Sequence, residues 1–296
     1  MTDAVYGAPP PRLAPGSGVQ LSPLIPGSTA LESLTPGSLD TLSMLAPPGV
    51  IERRYAIALA LRALKVGGEL TVLAPKDKGG SRLAKELTAF GTDPQETFKQ
   101  HHRICVVARP ETVAGLDEAV EAGGPRQGAD GLWTQPGVFS WDRIDPGTAL
   151  LAELLPVLSG EGADFGCGVG VLSLAALASP KVTKLAMIDT DRRAIEAAKR
   201  NVIDKRAEIL WADLRQVSLT GLDFVVMNPP FHDGGREDQS LGLAFIQKAA
   251  GSLRKGGVCW LVANRHLPYE AELAPLFSTV TLKGQTNGYK VYEARK

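Results

Sequence analysis

Cysteine is scarce in this chain, and its three cysteines are far apart. Cys105, Cys167 and Cys259 are odd in number and offer no closely spaced pair for a disulfide framework. Such sparse thiols are typical of a protein of the reducing cytoplasm. No cysteines and histidines have the spacing of a zinc site, so the sequence predicts no metal cofactor.

An excess of charge of either sign is also absent. Lysine plus arginine and aspartate plus glutamate each number 32, so the net charge is zero at pH 7. Overall charge therefore gives no argument for or against nucleic acid, and only local clustering could. Charged residues interrupt every apolar run well short of a membrane span. Since the N-terminus also lacks a basic and apolar leader, we expect a cytoplasmic protein with no membrane partner.

Proline is abundant at the start of the chain. Nine of the 21 prolines precede residue 49, interleaved with glycine and serine. This composition buries little apolar surface, so it predicts a mostly irregular segment over residues 1–45. The chain as a whole, with 44% apolar and 22% charged residues, has the composition of a globular protein. We predict two further domains, 46–125 and 126–296, joined through the Gly/Pro-rich stretch 123–147.

Helical and strand patterns alternate in both predicted domains. In the first, helices are expected at 51–64 and 81–90, and strands at 70–74 and 103–108, with a Gly-Gly pair ending the first helix. The second domain continues the alternation, with strands expected at about 162–164, 185–188, 208–211, 223–227, 258–263, 280–282 and 289–294. This order predicts an α/β fold with a Rossmann-like wound sheet, which binds ligands at the carboxyl ends of its parallel strands.

The two domains also resemble each other in sequence. Leu64–Ala74 matches Leu253–Ala263, and a Pro-Pro pair precedes each segment. We interpret this as an internal repeat whose first copy is degenerate and keeps only the later part of the unit. That copy has Ala46 where the second has Asn228, and it has no glycine loop upstream. Chance similarity between two α/β segments is the alternative, because Gly-Gly before a strand is common.

The most distinctive residues are Asn228-Pro229-Pro230-Phe231, directly after an apolar run that predicts a buried strand. Two prolines forbid helix and remove two N–H donors, so hydrogen-bond acceptors accumulate at the strand end. The Asn228 side-chain oxygen, the neighbouring carbonyls and an adjacent aromatic ring together suit a flat group that bears an NH2. The alternative is a proline turn with Phe231 in the core.

A second motif, Asp164-Phe-Gly166-Cys-Gly168-Val-Gly170, lies between a predicted strand and a helix. Its glycines allow a tight turn and close approach of backbone to a ligand. An acidic residue in first place repels phosphate and attracts an amino group, which favours a ligand with an ammonium group. The spacing is not that of a nicotinamide dinucleotide site, and an ordinary glycine-rich turn is the alternative.

Two further acidic residues follow the next two predicted strands. Asp189 ends the second strand, where a parallel sheet places a carboxylate that accepts from ribose hydroxyls. Asp213 follows the third strand, where an adenine edge would lie. Capping of the next helix is the alternative for Asp189, and an exposed loop aspartate is the alternative for Asp213.

The order of these motifs resembles the class I S-adenosylmethionine-dependent methyltransferases, and the Asn-Pro-Pro-aromatic step resembles their amino-methylating branch. The nearest resemblance is to the bacterial ribosomal RNA guanine-N2 methyltransferases, above all the small-subunit (16S) enzymes and then their large-subunit relatives. The segments that carry it are Gly137–Ser140 (GVFS), Asp145 with Gly147, DFGCGVGVLS from Asp164, NPPFHDG from Asn228, VANRHLPY from Val262 and GYKVY from Gly288.

This resemblance implies S-adenosylmethionine as cofactor and ribosomal RNA or the small ribosomal subunit as partner. The cofactor-binding residues would be Asp164, Gly166, Gly168, Gly170, Asp189, Asp213 and Asn228. Asn228, Pro229, Pro230 and Phe231 would be catalytic, orienting and polarising the guanine amine for direct in-line transfer without a general base. Phe231 would stack on a base taken out of its stack and His232 would contact it, although a turn histidine is more often structural. Phe139 would close over the cofactor.

Other substrates and one other class of function remain open. The Asn-Pro-Pro-aromatic step also resembles methylases of DNA adenine and of protein glutamine, and a non-catalytic cofactor- or RNA-binding module would keep the same cofactor site. One basic run is a candidate for RNA phosphates, with a solvated helix face as the alternative. It comprises Lys181, Lys184, Arg192, Arg193, Lys199, Arg200, Lys205 and Arg206. The sequence does not indicate the oligomeric state of the protein.

Overall fold

The chain forms two compact units. In this computed structural model the first comprises Met1–Arg126 with Gln135–Gly137, and the second comprises Gln127–Thr134 with Val138–Lys296. The structure describes residues 2–13, 18–230, 232–233, 236–237, 239–265, 269–286 and 288–296, with backbone alone at 232–233, 236–237 and 239–240. The expected join through 123–147 therefore contains the division between the units.

The first unit is a six-stranded sheet flanked by helices. Its strands are β1 Asp3–Tyr6, β2 Val19–Leu21, β3 Leu39–Leu45, β4 Leu64–Pro75, β5 Gln95–Lys99 and β6 His102–Ala108. Its helices are α1 Val50–Ala63, α2 Leu83–Thr88 and α3 Leu116–Gly123. The sheet order is β2-β1-β3-β4-β6-β5, in which β1 to β4 are parallel and β6 is antiparallel to both of its neighbours, β4 and β5.

The prediction of an irregular segment at 1–45 was wrong. Three strands of the first sheet lie within it, and Tyr6, Leu21, Leu42 and Met44 are buried in the core. The prolines occupy the connections between strands, where a missing N–H costs no ladder hydrogen bond. Strands of three to seven residues between such connections are too short to give a clear periodicity.

The second unit is built on a seven-stranded sheet. Its strands are β9 Gly160–Phe165, β10 Val182–Asp189, β11 Ala207–Trp211, β12 Leu222–Met227, β15 Leu253–Asn264, β16 Thr279–Gln285 and β17 Tyr289–Arg295. Two small ribbons pair β7 Arg126–Gln127 with β8 Trp133–Thr134, and β13 His232–Asp233 with β14 Arg236–Glu237. The helices are α4 Pro146–Leu154, α5 Val171–Leu177, α6 Arg192–Asn201, α7 Gln239–Ser252 and α8 Tyr269–Leu273.

The parallel strands β9, β10 and β12 of the second sheet end at the same level. Phe165 of β9 pairs with Ile188 of β10 on one side and with Met227 of β12 on the other. The glycine loop, Asp189 and Asn228 follow these three residues directly, so the sheet register brings them to one edge. This confirms the α/β wound sheet and the common edge that the sequence predicts.

The two units have the same strand plan. The order β10-β9-β12-β15-β17-β16 of the second sheet corresponds to β2-β1-β3-β4-β6-β5 of the first, with β11 added at the outer edge. In both units a 14-residue helix, α1 or α7, ends directly before the next strand. The first copy therefore keeps the early strands as well, and the expectation that only the later part survives was wrong.

Matching contacts support the correspondence. Asp40 of β3 accepts from the Thr2 amide (2.7 Å) and pairs with Lys65 (2.6 Å). At the corresponding place, Asp223 of β12 accepts from the Glu161 amide (2.8 Å) and pairs with Arg254 (2.6 Å). Chance similarity does not account for the same carboxylate making the same two contacts.

The Gly-Gly pairs differ from their prediction. They lie inside β4 and β15, not at the end of a helix, and each marks a shift in strand register. A Cβ on Gly68 would lie 2.9 Å from the Lys65 carbonyl oxygen, and one on Gly257 would lie 2.8 Å from the Leu222 carbonyl oxygen. The pairs are therefore bulges at which two backbone segments approach closely.

Candidate active site

The Asn228 amide is held in one orientation at the end of β12. Its Nδ2 donates to Asp145 Oδ2 (3.1 Å) and to Thr148 Oγ1 (2.8 Å). An ionised carboxylate has no proton to donate, so only the NH2 end of the amide can face Asp145. Both amide hydrogens are thereby engaged, and Oδ1 is left as the outward acceptor.

Asp145 is fixed by its own contacts. It is the N-cap of α4, and its Oδ2 accepts from the Thr148 amide at 2.8 Å. Its Oδ1 accepts from the Tyr289 hydroxyl at 3.2 Å, and burial together with this carboxylate raises the pKa of Tyr289. A Cβ on Gly147 would lie 2.5 Å from the Tyr289 ring, so glycine is needed for the ring to reach Asp145. Two of the segments that carry the family resemblance thus meet behind Asn228.

The glycine loop connects β9 to α5. Gly166, Gly168 and Gly170 have φ angles of +72°, +53° and +98°. A Cβ on Gly170 would lie 2.8 Å from Val202, whereas one on Gly168 would meet no protein atom within 4 Å. Gly168 therefore borders open space, as expected for a position that a ligand approaches. The Gly168 amide donates to Asp189 Oδ2 at 2.8 Å, which ties the loop to the end of β10.

Asn201 is a residue that the sequence did not single out. From the end of α6 its Nδ2 donates to the Val169 carbonyl (2.9 Å) of the glycine loop and to the Trp133 carbonyl (2.9 Å). Its Oδ1 accepts from the Trp133 amide at 2.7 Å. Asparagine near a helix end looks like ordinary capping, so no sequence signal marks this clamp.

Asp164 lies beneath the loop as the penultimate residue of β9. It is fully buried, and its Oδ2 accepts from the Ser173 hydroxyl at 2.6 Å. Its Oδ1 is buried without a hydrogen-bond partner among the described residues. Burial raises the pKa of Asp164 to about 7, although the Ser173 hydrogen bond opposes the shift. A buried acceptor with no donor is an unsatisfied group that an incoming cation would satisfy.

The other two acidic residues are already engaged in the fold. Asp189 accepts from the amides of Gly168 and Asp191, each at 2.8 Å, and burial raises its pKa to about 6. Asp213 accepts from the Arg215 amide at 2.9 Å and from its guanidinium, which lowers the pKa of Asp213. Asp213 is thus the N-cap of the short helical turn that follows it, and Asp191, not Asp189, is the N-cap of α6.

A pocket joins these groups. The glycine loop (166–169), the start of α5, the loop 139–145 and Asn228 line it, together with Thr148 and part of the 128–134 ribbon. Phe139 is 69% exposed and stands in the wall, so a large apolar ring is available to a bound molecule. Asp164, Asp189 and Asp213 are not among the residues that line the pocket.

The basic run does not form a free cationic face. Lys184 pairs with Glu208, Arg193 with Asp191, Lys199 with Glu196 and Arg206 with Asp204. Arg200 stacks over the Trp133 ring at 4.5 Å. Arg206 also donates to three carbonyls around the start of β10, so its role is structural. The pairing favours the solvated-helix alternative.

Several predicted features remain without a structural description. Phe231 and the side chain of His232 lie outside the described residues, so their substrate contacts stay predictions. Pro229 is buried and Pro230 half-buried at the pocket edge of the sheet.

In the described part of the chain, no group of three His, Cys, Asp or Glu could hold a metal ion. No helix there is long and apolar enough to cross a membrane.

Comparisons with known proteins agree with this arrangement. A family model described as methyltransferase small domain matches residues 130–293, which include every lining residue of the pocket except Gly128. The ribosomal RNA small subunit methyltransferase C of Pseudomonas aeruginosa (strain LESB58) is 31% identical over 290 residues, covering 95% of this chain and 87% of that protein. The protein of the same name from Shewanella sediminis (strain HAW-EB3) is 33% identical over 264 residues, covering 86% of this chain and 76% of that protein.

This chain belongs to the ribosomal RNA small subunit methyltransferase C family. A solved structure, the 16S rRNA N2 methyltransferase of T. thermophilus in complex with AdoMet and guanosine, has the same fold, with a TM-score of 0.80 at 22% identity. The match covers 100% of this chain and 88% of that one, so it includes both units. The methyltransferase resemblance and the fold class predicted from the sequence are therefore confirmed.

Proposed function

We propose that this methyltransferase transfers the methyl group of S-adenosylmethionine to the exocyclic N2 amine of a guanine in 16S ribosomal RNA, in the cytoplasm. The observation that carries the proposal is the fixed Asn228 amide, whose Oδ1 is presented at the strand end beside the glycine-loop pocket. Family membership supports the same reaction, since the relatives are ribosomal RNA small subunit methyltransferases.

The residues in and around the pocket fit such a cofactor. The unpartnered Asp164 Oδ1 under the glycine loop is an acceptor suited to the charge of an amino-acid ammonium group. Gly168 leaves the backbone open to close approach, and Asp189 at the end of β10 has the position expected for ribose hydroxyls. When bound, S-adenosylmethionine would supply an electrophilic methyl group on sulfur.

Asn228 acts on the nucleophile. Guanine N2 is a weak nucleophile because its lone pair is delocalised into the ring. Acceptance of its two hydrogens, by Asn228 Oδ1 and by a carbonyl of the Pro229-Pro230 turn, holds the amine in place and directs the lone pair toward the methyl carbon. An amide is not a base at neutral pH, so the contribution is orientation and polarisation.

The step balances without a further reactant. The cofactor would supply the methyl carbon and keep the electron pair of its S–CH3 bond on sulfur, so the guanine N2 lone pair would provide the electrons of the new N–C bond. The amine is then cationic, and its proton leaves to solvent after transfer. No residue of the pocket is required as a general base.

Asp145 is a positioning residue in this mechanism. If the Asn228 amide turned over, it would present NH2 to another NH2, and no hydrogen bond would form. The Asp145 carboxylate prevents this because it accepts from the NH2 end and cannot accept from the oxygen end. Thr148 supports the same orientation, accepting from Asn228 and donating to Asp145 Oδ2.

Purified protein and 16S rRNA from a strain that lacks it test the proposal, with naked RNA and assembled small subunits compared. The wild type should methylate guanine N2, and Asn228→Ala should transfer about 10²–10³-fold more slowly while binding cofactor normally. The alternative substrates that the sequence leaves open are the controls: 23S rRNA, adenine-containing DNA and glutamine peptides. Preference for any of these, or full activity of Asn228→Ala, would reject the proposal.

A further inference from the structure

In the first unit, a side chain of the same unit fills the space at the carboxyl end of β3. Pro47-Pro48 follows β3 as Pro229-Pro230 follows β12. Arg53, in the first turns of α1, is fully buried and points its guanidinium at this turn. Its Nη1 donates to the Pro47 carbonyl (3.0 Å) and to the Pro48 carbonyl (2.8 Å).

Glu86 closes the other side of the guanidinium. Arg53 Nε donates to Glu86 Oε2 and Nη2 donates to Oε1, each at 2.7 Å. This is a bidentate pair between two planar groups, and only 1% of the Arg53 side chain is exposed. Four hydrogen bonds to two carbonyls and one carboxylate make a fitted site for a flat cation.

Glycine at a neighbouring position makes room for the cation. A Cβ on Gly79 would lie 2.2 Å from Arg53 Nη1, and Gly79 has a φ of +96°. No side chain could therefore be added at residue 79 without displacing the guanidinium.

The second unit has the opposite arrangement. Arg53 is the fourth residue of the 14-residue helix α1, and the fourth residue of the 14-residue helix α7 is Gly242. Gly242 has no side chain to send toward the strand end. Its own surroundings are filled by Tyr269, whose hydroxyl would lie 2.2 Å from a Cβ at this position.

We infer that the carbonyl acceptors of the first unit form a guanidinium site that Arg53 occupies permanently, and that this internal ligand closes the site to any external planar amine. The guanidinium site itself is independent of the proposed function. Only the comparison of this site with the position of the substrate amine in the second unit rests on the proposed function. The Asn228→Ala experiment tests that function separately.

Removal of the internal ligand should create a site for free guanidinium. In full-length Arg53→Ala, Glu86 loses its partner in a buried place, so we expect the first unfolding transition to fall by roughly 10 °C. About 20 mM guanidinium chloride should recover a third or more of this loss by binding the folded state. Ammonium chloride at the same ionic strength should not, because a tetrahedral cation cannot reach both carbonyls and the carboxylate in one plane.

Two further variants make the result decisive. Arg53→Met with Glu86→Leu removes both charges, so it should unfold closer to the wild-type temperature and show no response to guanidinium. Arg53→Lys keeps the charge and covers the case in which Arg53→Ala does not fold. We expect it to melt below the wild type without recovery, because its own ammonium occupies the site.

The inference would be overturned by wild-type stability of Arg53→Lys, or by equal recovery of Arg53→Ala with ammonium and guanidinium. A guanidinium response in the double variant would also contradict it, since that variant lacks the carboxylate.

Discussion

The two units of this protein show how one strand plan supports a pocket in one case and a closed core in the other. Gly7 and Gly166 both follow the first strand, and their amides donate to Leu21 and Ile188 at 2.8 and 2.9 Å. Beyond these shared contacts the residues diverge. The first unit has Val5 for Asp164, prolines 9–11 for the glycine loop, Ser22 for Asp189, Ala46 for Asn228 and Arg53 for Gly242.

This difference shows that the residues that stabilise the sheet are separate from the residues at its carboxyl edge. Backbone bulges at Gly68 and Gly257 and the ion pairs of Asp40 and Asp223 recur, because they hold the sheet together. The groups at the carboxyl edge do not recur, as expected if their role is the ligand binding proposed above for the second unit alone. The first unit keeps the stability of the fold and fills its acceptor turn with a side chain of its own.

The largest effect is expected from making the second unit resemble the first. Asn228→Ala should lower kcat by about 10²–10³-fold, since one preorganised polar contact to the reacting group is lost. Adding Ala46→Asn to this variant should restore nothing, because Arg53 already engages the Pro47 and Pro48 carbonyls. Methyl transfer from labelled cofactor measures both, and recovery by Ala46→Asn would break the comparison.

Asp145 has no functional counterpart in the first unit, so its replacement tests the orientation of Asn228. In Asp145→Ser the short hydroxyl can still cap Thr148 but cannot reach Asn228 Nδ2, and kcat should fall about 10–100-fold. Asp145→Asn keeps one oxygen for both contacts while Tyr289 turns to accept, so its kcat should stay within about fivefold.

The KM of the cofactor and the melting temperature are the controls for Asp145→Ser and Asp145→Asn. Both quantities should stay close to their wild-type values in the two variants. Equal loss of activity in Asp145→Asn and Asp145→Ser would show that charge near the pocket matters, and not amide orientation.

We expect the Asp164 carboxylate to lower the stability of the folded protein and to strengthen cofactor binding. Its folded-state pKa of about 7 lies above that of an unfolded aspartate, so ionisation is harder in the fold. The free energy of unfolding should therefore decrease from about pH 4 to pH 7 and stay lower above that range. Asp164→Asn should weaken this dependence, leaving the part due to Asp189, melt above the wild type at pH 8 and bind cofactor roughly tenfold more weakly.

Melting curves and calorimetric titration across this pH range check both parts. Identical pH profiles of wild type and Asp164→Asn would contradict the buried, unpartnered carboxyl. Val5→Asp offers the reverse comparison in the first unit, where no ligand is expected to compensate the charge.

The smallest effect is expected at the repeated ion pairs. Lys65 and Arg254 are 53% and 55% exposed, so solvent screens their attraction to Asp40 and Asp223. Lys65→Ala and Arg254→Ala should each lower the melting temperature by only about 1–2 °C, and by similar amounts. A large effect in one unit alone would show that the two pairs are not equivalent.

Much of the second unit could be predicted from the sequence because several of its strands are apolar and because distinctive residues follow their ends. The glycine loop, Asp189 and Asn228 meet at one edge, as their order along the chain indicates. The first three strands of the first unit could not be predicted in this way. They are short, and their partners in the sheet, which make them strands, lie elsewhere in the chain.

The inner contacts of the site were harder to predict than its edge. Asp145 is separated from Asn228 by 83 positions, and Asn201 from Val169 by 32, so no local pattern joins them. Arg53 gave no signal either, because an arginine in the first turns of a helix is ordinarily exposed. Only the three-dimensional arrangement reveals that its guanidinium is buried against the proline carbonyls.

Mapping of N2-methylguanosine in the 16S rRNA of a strain that lacks this protein tests the central claim most directly. We expect one methylated guanine to be lost, restored by the wild-type gene and not restored by Asn228→Ala expressed at the same level. An unchanged methylation map in the deletion strain, or full restoration by Asn228→Ala, would contradict the assignment of the second unit and of Asn228.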